Sequence, residues 1–437
     1  MTYRARLSGV SAEVALGAVS TLPGAFWLRS DSGIFAGALP SERRVAFDPE
    51  PELRLPDVVE PGDGAHFPRW VGALPYEAVR GWERAPVPDP RPPAWMQEPI
   101  WQRYDAVLAF DSAEQPWLLA TDEGAAAALE RAIRSRLVPL SGRAASLSWA
   151  EPPEPAAVHE RRIAAALELI SRGQLYQVNL ARRFEFRSSG QPLELLLRLS
   201  SPGPAGIVAA ALAGGLAPYG AAIDFGDVAV VSTSPESFLE LGAGGYAATR
   251  PIKGTRPRHA DLARDRALAE ELDTSEKERA ELAMVIDIER SDLGRLAQPG
   301  SVRLEAPPSV VTLPTVHHRH ALVTARLRAG VGRAEVLHAL MPSGSVTGAP
   351  KVRAMDLIRE LEARRRGLYT GALGALYTSG QLELSMAIRC LVLRGGSAEY
   401  FSGGGIVADS DPAAEVQETL WKAEQLLSLL GEQGLRH

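Results

Sequence analysis

A mixed fold of helices and strands is what this sequence predicts, and three observations carry that reading. Ile163, Leu167 and Ile170 recur at helical spacing before Gly173 supplies a C-terminal stop. Period-two alternation in Tyr176-Gln177-Val178-Asn179-Leu180 sets Val178 and Leu180 on one face and the amides of Gln177 and Asn179 on the other. Hydrophobic residues make up 46% of the 437, ample for a large buried core. Ahead of residue 150, short runs such as Ala106-Val107-Leu108-Ala109-Phe110 read as strands. Near the other end, Leu384 through Val392 reads as one strand. Its Leu384, Met386, Ile388, Cys390 and Val392 share the packed face, Arg389 points the opposite way, and Cys390 is a core residue.

Two proline clusters punctuate the chain. Pro86, Pro88, Pro90, Pro92 and Pro93 mark an extended surface loop, and Glu151-Pro152-Pro153-Glu154-Pro155 separates regions 1–150 and 151–437. The 47 basic against 53 acidic residues leave a net charge of −6, which argues against a nucleic-acid partner. A single cysteine and no Cys/His zinc pattern point to the cytoplasm. Glu13 interrupts the apolar run near the N-terminus, so no secretion signal is expected there. The uncharged stretch Gly206 to Ile223 is mostly Ala and Gly with Pro218 inside; it reads as buried loop and strand, with no membrane association expected.

Two Glu-x-x-Glu units stand out on predicted helices: Glu278 with Glu281, and Glu415 with Glu418. Residues three apart share a helical face. The second unit follows Asp411 as a candidate cap and Pro412 at the first helical position. Facing one another, four carboxylates would call for a hard cation such as Mg²⁺. On spacing alone they read instead as solvated helix-face charges, because such pairs are common. Four glycine-bearing segments, at 251–256, 343–351, 369–372 and 402–406, lack Walker or Rossmann spacing, and each taken singly reads as a turn. His317, His318 and His320 have no carboxylate-histidine framework around them and read as packing or hydrogen-bonding residues.

Taken together, these segments resemble the chorismate-utilising family that contains anthranilate synthase component I, aminodeoxychorismate synthase component I, and the isochorismate and salicylate synthases. The resemblance runs through Tyr176 to Leu180, Ser234-Pro235-Glu236, Pro251 to Arg256, Lys277 to Glu281, Arg290 to Arg295, Thr347 to Met355, Tyr369 to Ala372, Ala387-Ile388-Arg389 and Gly403 to Ser410 with Glu415 and Glu418. It is looser in the first half, through Gly72 to Glu77 and Phe26-Trp27-Leu28. The resemblance implies an α+β fold, a two-sheet sandwich like anthranilate synthase component I with outer helices, regions 1–150 and 151–437 interleaved in one unit.

The resemblance also implies a site. Glu278, Glu281, Glu415 and Glu418 match the family's Mg²⁺ cluster, Glu281 and Glu418 as direct ligands, with the ion holding the ring carboxylate of chorismate. Thr347, Tyr369, Arg389 and the Gly404-Gly405 backbone match positions at the enolpyruvyl end, where an Arg fork suits a carboxylate. Gln177, Gly348 and Lys422 join the substrate-binding set, and Thr255 and His318 the catalytic one. Lys253 stands where anthranilate synthases carry Ala, and it points to amination at C4: Lys253 adds at C2, Glu236 protonates the departing hydroxyl, and ammonia displaces Lys253. The product would be 4-amino-4-deoxychorismate, a precursor of para-aminobenzoate and folate. Gln177 occupies the position of a water-activating Lys in the salicylate and isochorismate synthases, which disfavours water as nucleophile. Because no nucleophilic Cys module is present, a separate glutamine amidotransferase subunit is expected to supply ammonia. The alternatives are anthranilate formation and a catalytically silent chorismate-binding subunit. Leu282, Ser291 and Ala321 depart from the family's His, Asn and Ser, and no tryptophan feedback is expected around Phe26 to Ser30.

Overall fold

The computed structural model describes residues 2–51, 66–78, 89–137, 145–200, 217–313 and 316–433. Pro86, Pro88 and the first part of the 206–223 stretch lie outside the described residues. Two large sheets of antiparallel pairs dominate the rest. The first runs, edge to edge, through Tyr3–Arg6, Pro116–Ala120, Ala106–Phe110, Gly33–Gly37, Phe26–Ser30, Tyr219–Asp224, Ala229–Ser234, Cys390–Arg394, Ser397–Ile406, Gln177–Ser189 and Gly348–Ala349, with Ser146–Trp149 also pairing to Gln177–Ser189. The second runs through Arg303–Leu304, Val323–Arg326, Tyr246–Thr249, Ser237–Leu241, Leu382–Met386, Ala372–Tyr377, Pro68–Leu74, Ile100–Arg103 and Glu42–Arg44.

Alternation along the strands decides what each face meets. Phe26, Leu28, Ala221, Ile223 and Val230 of the first sheet pack with Val71, Ala73, Leu373, Ala375 and Tyr377 of the second, forming the core of the sandwich. The intervening Trp27, Ala222 and Val231 turn outward instead and are covered by Leu16, Leu129, Ile133, Leu195 and Leu426 from helices. Trp70, Leu74, Leu239 and Leu376 of the second sheet are covered in the same way by Leu282, Ile286, Leu337 and Leu340. Each sheet is therefore apolar on both faces, and the layers read helix, sheet, sheet, helix. This is the α+β sandwich with outer helices that the resemblance implied.

Two local expectations are corrected. Leu384 to Val392 is two strands, Leu382–Met386 in the second sheet and Cys390–Arg394 in the first. Between them Arg389 adopts a left-handed backbone with φ of 53°, a conformation that interrupts a strand. The switch sends Leu384 and Met386 into one cluster and Cys390 and Val392 into another. Cys390 is nonetheless a core residue, its thiol pushed up to about 12 by burial. The 402–406 glycine segment is the end of a strand, Ser397–Ile406, where the isolated motif suggested a turn. A further, three-stranded sheet was not anticipated: Val316–His320 at its centre, flanked by Ile252–Pro257 and Ser309–Thr312. It carries Lys253, Thr255 and His318.

Candidate active site

Two helix starts and one strand end meet at the carboxylate pairs. The helix Glu276–Gly294 is capped by Ser275, whose hydroxyl accepts from the Glu278 amide, and Glu278 sits in its first turn. The helix Pro412–Leu427 is capped by Asp411, which accepts from the Ala414 amide at 2.8 Å, with Pro412 at the first position and Glu415 in the first turn. Negative side chains in a first turn are favoured by the unsatisfied amides and the helix dipole. Glu415 is buried and accepts from the Ser410 hydroxyl at 2.7 Å; Glu278, Glu281 and Glu418 are half-buried. Glu278, Glu281 and Glu415 are largely withdrawn from the outer surface where the spacing-only reading put them, whereas the Glu418 side chain stays 40% exposed.

Burial pushes the Glu281 and Glu415 carboxyls above the ordinary range, and neighbouring carboxylates add to it: Glu278 and Glu418 act on Glu281, and Glu418 acts on Glu415. Burial acts on Glu418 in the same sense, but the Lys422 ammonium, 2.6 Å away, pulls it below the usual value. Lys422 also donates to the Gly403 carbonyl at 3.0 Å. Glycine at 404 leaves the room for this group, since a Cβ there would stand 2.9 Å from Glu415 Oε2. Oxygen donors in mutual repulsion are the chemistry a hard cation such as Mg²⁺ relieves, so the residues fit that ion. Among the described residues no three His, Cys, Asp or Glu side chains are already gathered as a metal site.

The three-stranded sheet supplies the next groups. Lys253 Nζ donates to the Ser345 carbonyl at 3.5 Å, and its charge acts on Glu236, Glu281 and Glu418 alike. Gly254 turns the chain beside it with φ of +78°, its missing side chain leaving room for Leu272 and Glu278. Glu236 is buried, at 6% exposure, and accepts from the Ser345 hydroxyl at 3.1 Å. Burial raises its carboxyl to about 7, against the opposing pull of Lys253 and of the Ser345 hydrogen bond. His318 Nδ1 pairs with the Thr255 hydroxyl at 2.8 Å, while its Nε2 is buried without a partner. Burial and the Arg389 charge lower this imidazole to about 4, so it is neutral at neutral pH. His317 is a structural residue, held between Thr312 and Asp265.

A third group lies along the paired strands Gln177–Ser189 and Ser397–Ile406. Gln177 is fully buried, and both atoms of its carboxamide lack a hydrogen-bond partner. Glycine at 405 makes space for it, because a Cβ there would approach Gln177 Nε2 to 2.6 Å. Tyr369 stacks on Phe401 with ring centroids 5.6 Å apart. Arg389 feels the charges of Tyr400 and Glu236, and its guanidinium forms no hydrogen bond or ion pair among the described residues. A desolvated, uncommitted fork of this kind suits a carboxylate ligand. Thr347 donates its hydroxyl to the Ser343 carbonyl at 2.7 Å, which ties it to the backbone. Gly348 crosses so close to the Gln177 carbonyl that a Cβ would stand 2.2 Å away.

Asn179, placed from the alternation on the polar face with Gln177, has a carboxamide oxygen buried without a partner. Sequence reasoning passed over Lys277, whose charge acts on Glu281, Glu415 and Glu418. It also passed over buried Glu289, whose carboxyl is raised to about 7 by burial. A signal for Glu289 existed: it falls in step with Leu282, Ile286 and Leu293 on the apolar face of its helix, an unusual place for a carboxylate.

A paired-sheet sandwich bearing acids, a lysine and an uncommitted arginine around one region defines an enzyme class, and residues 40–428 match the family model described as chorismate binding enzyme. The chain belongs to that family. It is 36% identical over 380 residues to anthranilate synthase component 1 of Streptomyces coelicolor, covering 82% of this chain and 72% of that one. To aminodeoxychorismate synthase component 1 of Klebsiella aerogenes it is 43% identical over 258 residues, 59% of this chain and only 54% of that protein's length. The crystal structure of anthranilate synthase component I from Streptococcus pneumoniae superposes with a TM-score of 0.70 at 27% identity, over 92% of this chain and 89% of that one. No helix among the described residues is long and apolar enough to cross a membrane.

Proposed function

We propose that this chain aminates chorismate at C4, giving 4-amino-4-deoxychorismate, with ammonia delivered by a separate glutaminase subunit. The observation that carries the reading is the meeting of an amine and an acid at Ser345: Lys253 reaches its carbonyl, and Glu236 holds its hydroxyl. In its neutral form Lys253 adds at C2 of the ring while Glu236 gives its proton to the C4 hydroxyl, which leaves as water. Ammonia then adds at C4, and the electron pair of the C2–N bond returns to Lys253. A carboxyl poised near 7 holds the proton to be donated at neutral pH and can be recharged. The free guanidinium of Arg389 would take the enolpyruvyl carboxylate, beside Tyr369 and the Gly404-Gly405 backbone. Glu281 and Glu418, with Glu278 and Glu415 beside them, would hold Mg²⁺, which supplies charge neutralisation for the ring carboxylate. The component 1 designation of the relatives supports a separate glutaminase partner.

Loss of pyruvate to give anthranilate is the second reading, favoured by the longer alignment with an anthranilate synthase component 1. Incubation of the purified chain with chorismate, Mg²⁺ and ammonium separates the two. Aminodeoxychorismate without pyruvate is the expected result, and fluorescent anthranilate with stoichiometric pyruvate would overturn it. Glutamine in place of ammonium should give no product until the partner subunit is added.

A further inference from the structure

Behind Glu236 lies a chain of hydrogen bonds that the reaction described above does not use. Glu236 Oε1 is 3.1 Å from Ser345 Oγ, Ser345 Oγ is 3.0 Å from Ser343 Oγ, and Ser343 Oγ is 2.8 Å from Glu289 Oε1. All four residues are buried, Glu289 at 2% exposure and Ser343 at 3%. The Ser345 amide occupies another lone pair of Ser343 Oγ at 3.2 Å, which leaves that hydroxyl one donor and one acceptor role for the chain itself.

Three links join two carboxyl groups through two hydroxyls, and counting protons fixes what the chain can hold. With both acids ionised there are two protons for three links, and one pair of oxygens meets without a proton. With both acids protonated there are four, one too many. A single acidic proton completes the chain, in either of two polarities. It can sit on Glu236, with Ser345 donating to Ser343 and Ser343 to Glu289. It can equally sit on Glu289, with Ser343 donating to Ser345 and Ser345 to Glu236. Passage between the two shifts three protons by one link each and leaves every heavy atom in place.

We propose that Glu289 is a positioning residue for this reaction, a buried reserve that shares one proton with Glu236 through Ser343 and Ser345. Proton donation to substrate by Glu236 rests on the amination reading, whereas the sharing itself does not. When the shared proton rests on Glu289 it passes to Ser343, that of Ser343 to Ser345 and that of Ser345 to Glu236, which gives one proton to the departing C4 oxygen; the C4–O electron pair goes to that oxygen, water leaves, and both acids are then ionised. The proton shed by the newly formed ammonium at C4 returns to the chain and resets it. The charged groups facing the pair are Lys253 and Arg389 at the Glu236 end, and Lys351 and Asp292 at the Glu289 end. Lys351 and Asp292, themselves paired, line an open cleft of about 900 Å³ that contains none of the groups placed around the substrate, so the far end of the chain lies close to solvent. Burial raises both carboxyls to about 7, and each remains partly protonated where an exposed glutamate is fully ionised.

The test is a pH titration of the protonated-carboxyl infrared bands of the full chain without substrate, for wild type, Glu289→Gln, Ser343→Ala, their double mutant and Ser343→Thr. Glu289→Gln removes one band and lowers the midpoint of the Glu236 band by about one pH unit or more. Ser343→Ala lowers the same midpoint, because Ser345 can then only donate to Glu236; Ser343→Thr keeps the hydroxyl and the wild-type midpoint. The double mutant shifts it no further than the larger single shift. The basic limb of the ammonium-dependent kcat profile moves down in parallel. A Glu236 midpoint unmoved in both single variants would overturn the shared proton. A product other than aminodeoxychorismate would overturn the amination reading while the coupled titration stayed readable.

Discussion

Lys253 and Glu236 come from different sheets, the small three-stranded one and the turn before strand Ser237–Leu241, yet they meet at one serine. If the amine is the nucleophile, Lys253→Ala lowers aminodeoxychorismate formation by on the order of 100-fold or more, the scale of loss for a group acting on the reacting atoms. Product analysis with ammonium checks this, and wild-type turnover in the variant would remove covalent catalysis. Glu281→Gln and Glu418→Gln are each expected to raise the Mg²⁺ concentration for half-maximal activity by roughly 10-fold or more. An unaltered metal titration in both variants would mean that the ion binds elsewhere. Lys253, Glu236 and the four glutamates of the Glu-x-x-Glu units were legible as residue types in recognisable segments. Glu289 was not singled out, because its partner Ser343 is 54 positions away and only folding brings the hydroxyl to it.

At the scale of elements, the helix starts do the positioning. Asp411 accepts the Ala414 amide and Ser410 holds Glu415, so one short turn both caps a helix and aims a carboxylate. Asp411→Ala therefore costs about 1 kcal/mol of stability in chemical denaturation, and it should also weaken the Mg²⁺ response, since the turn carrying Glu415 frays. A stability loss with an unchanged metal response would separate capping from aiming. The start at Asp411 and Pro412 was read from sequence, because a cap followed by proline is a local signal, whereas the Ser275 cap of the other helix was not singled out. The break at Arg389 was not: alternation continues unbroken through Leu384, Met386, Ile388, Cys390 and Val392, and nothing local says that the chain changes sheets there.

Across the whole molecule, each large sheet joins a block of strands from residues 3–120 to a block from residues 177–406. Phe26–Ser30 pairs with Tyr219–Asp224, and Pro68–Leu74 pairs with Ala372–Tyr377. Removing residues 1–150 would strip partners from both large sheets and uncover one side of the sandwich core around Ala221, Ile223 and Leu373. The fragment 151–437 is accordingly expected to aggregate or to remain without fixed tertiary packing, and mixing it with 1–150 should restore structure. Near-ultraviolet circular dichroism and size-exclusion chromatography read this directly; a monomeric, cooperatively folding 151–437 would show that the proline-rich stretch 151–155 separates independent units.

The amino-acid order alone marked a helix stop at Gly173, a helix start at Asp411 and Pro412, the alternation of Gln177 to Leu180 and the residue types of a chorismate site, because capping, periodicity and short motifs act over a few positions. Which strands became neighbours, where the chain crossed from sheet to sheet, and which acids were buried together were decided only by the tertiary structure. Those outcomes depend on packing between segments tens to hundreds of residues apart, and the carboxyls of Glu236 and Glu289 moved to about 7 only because folding took both out of water.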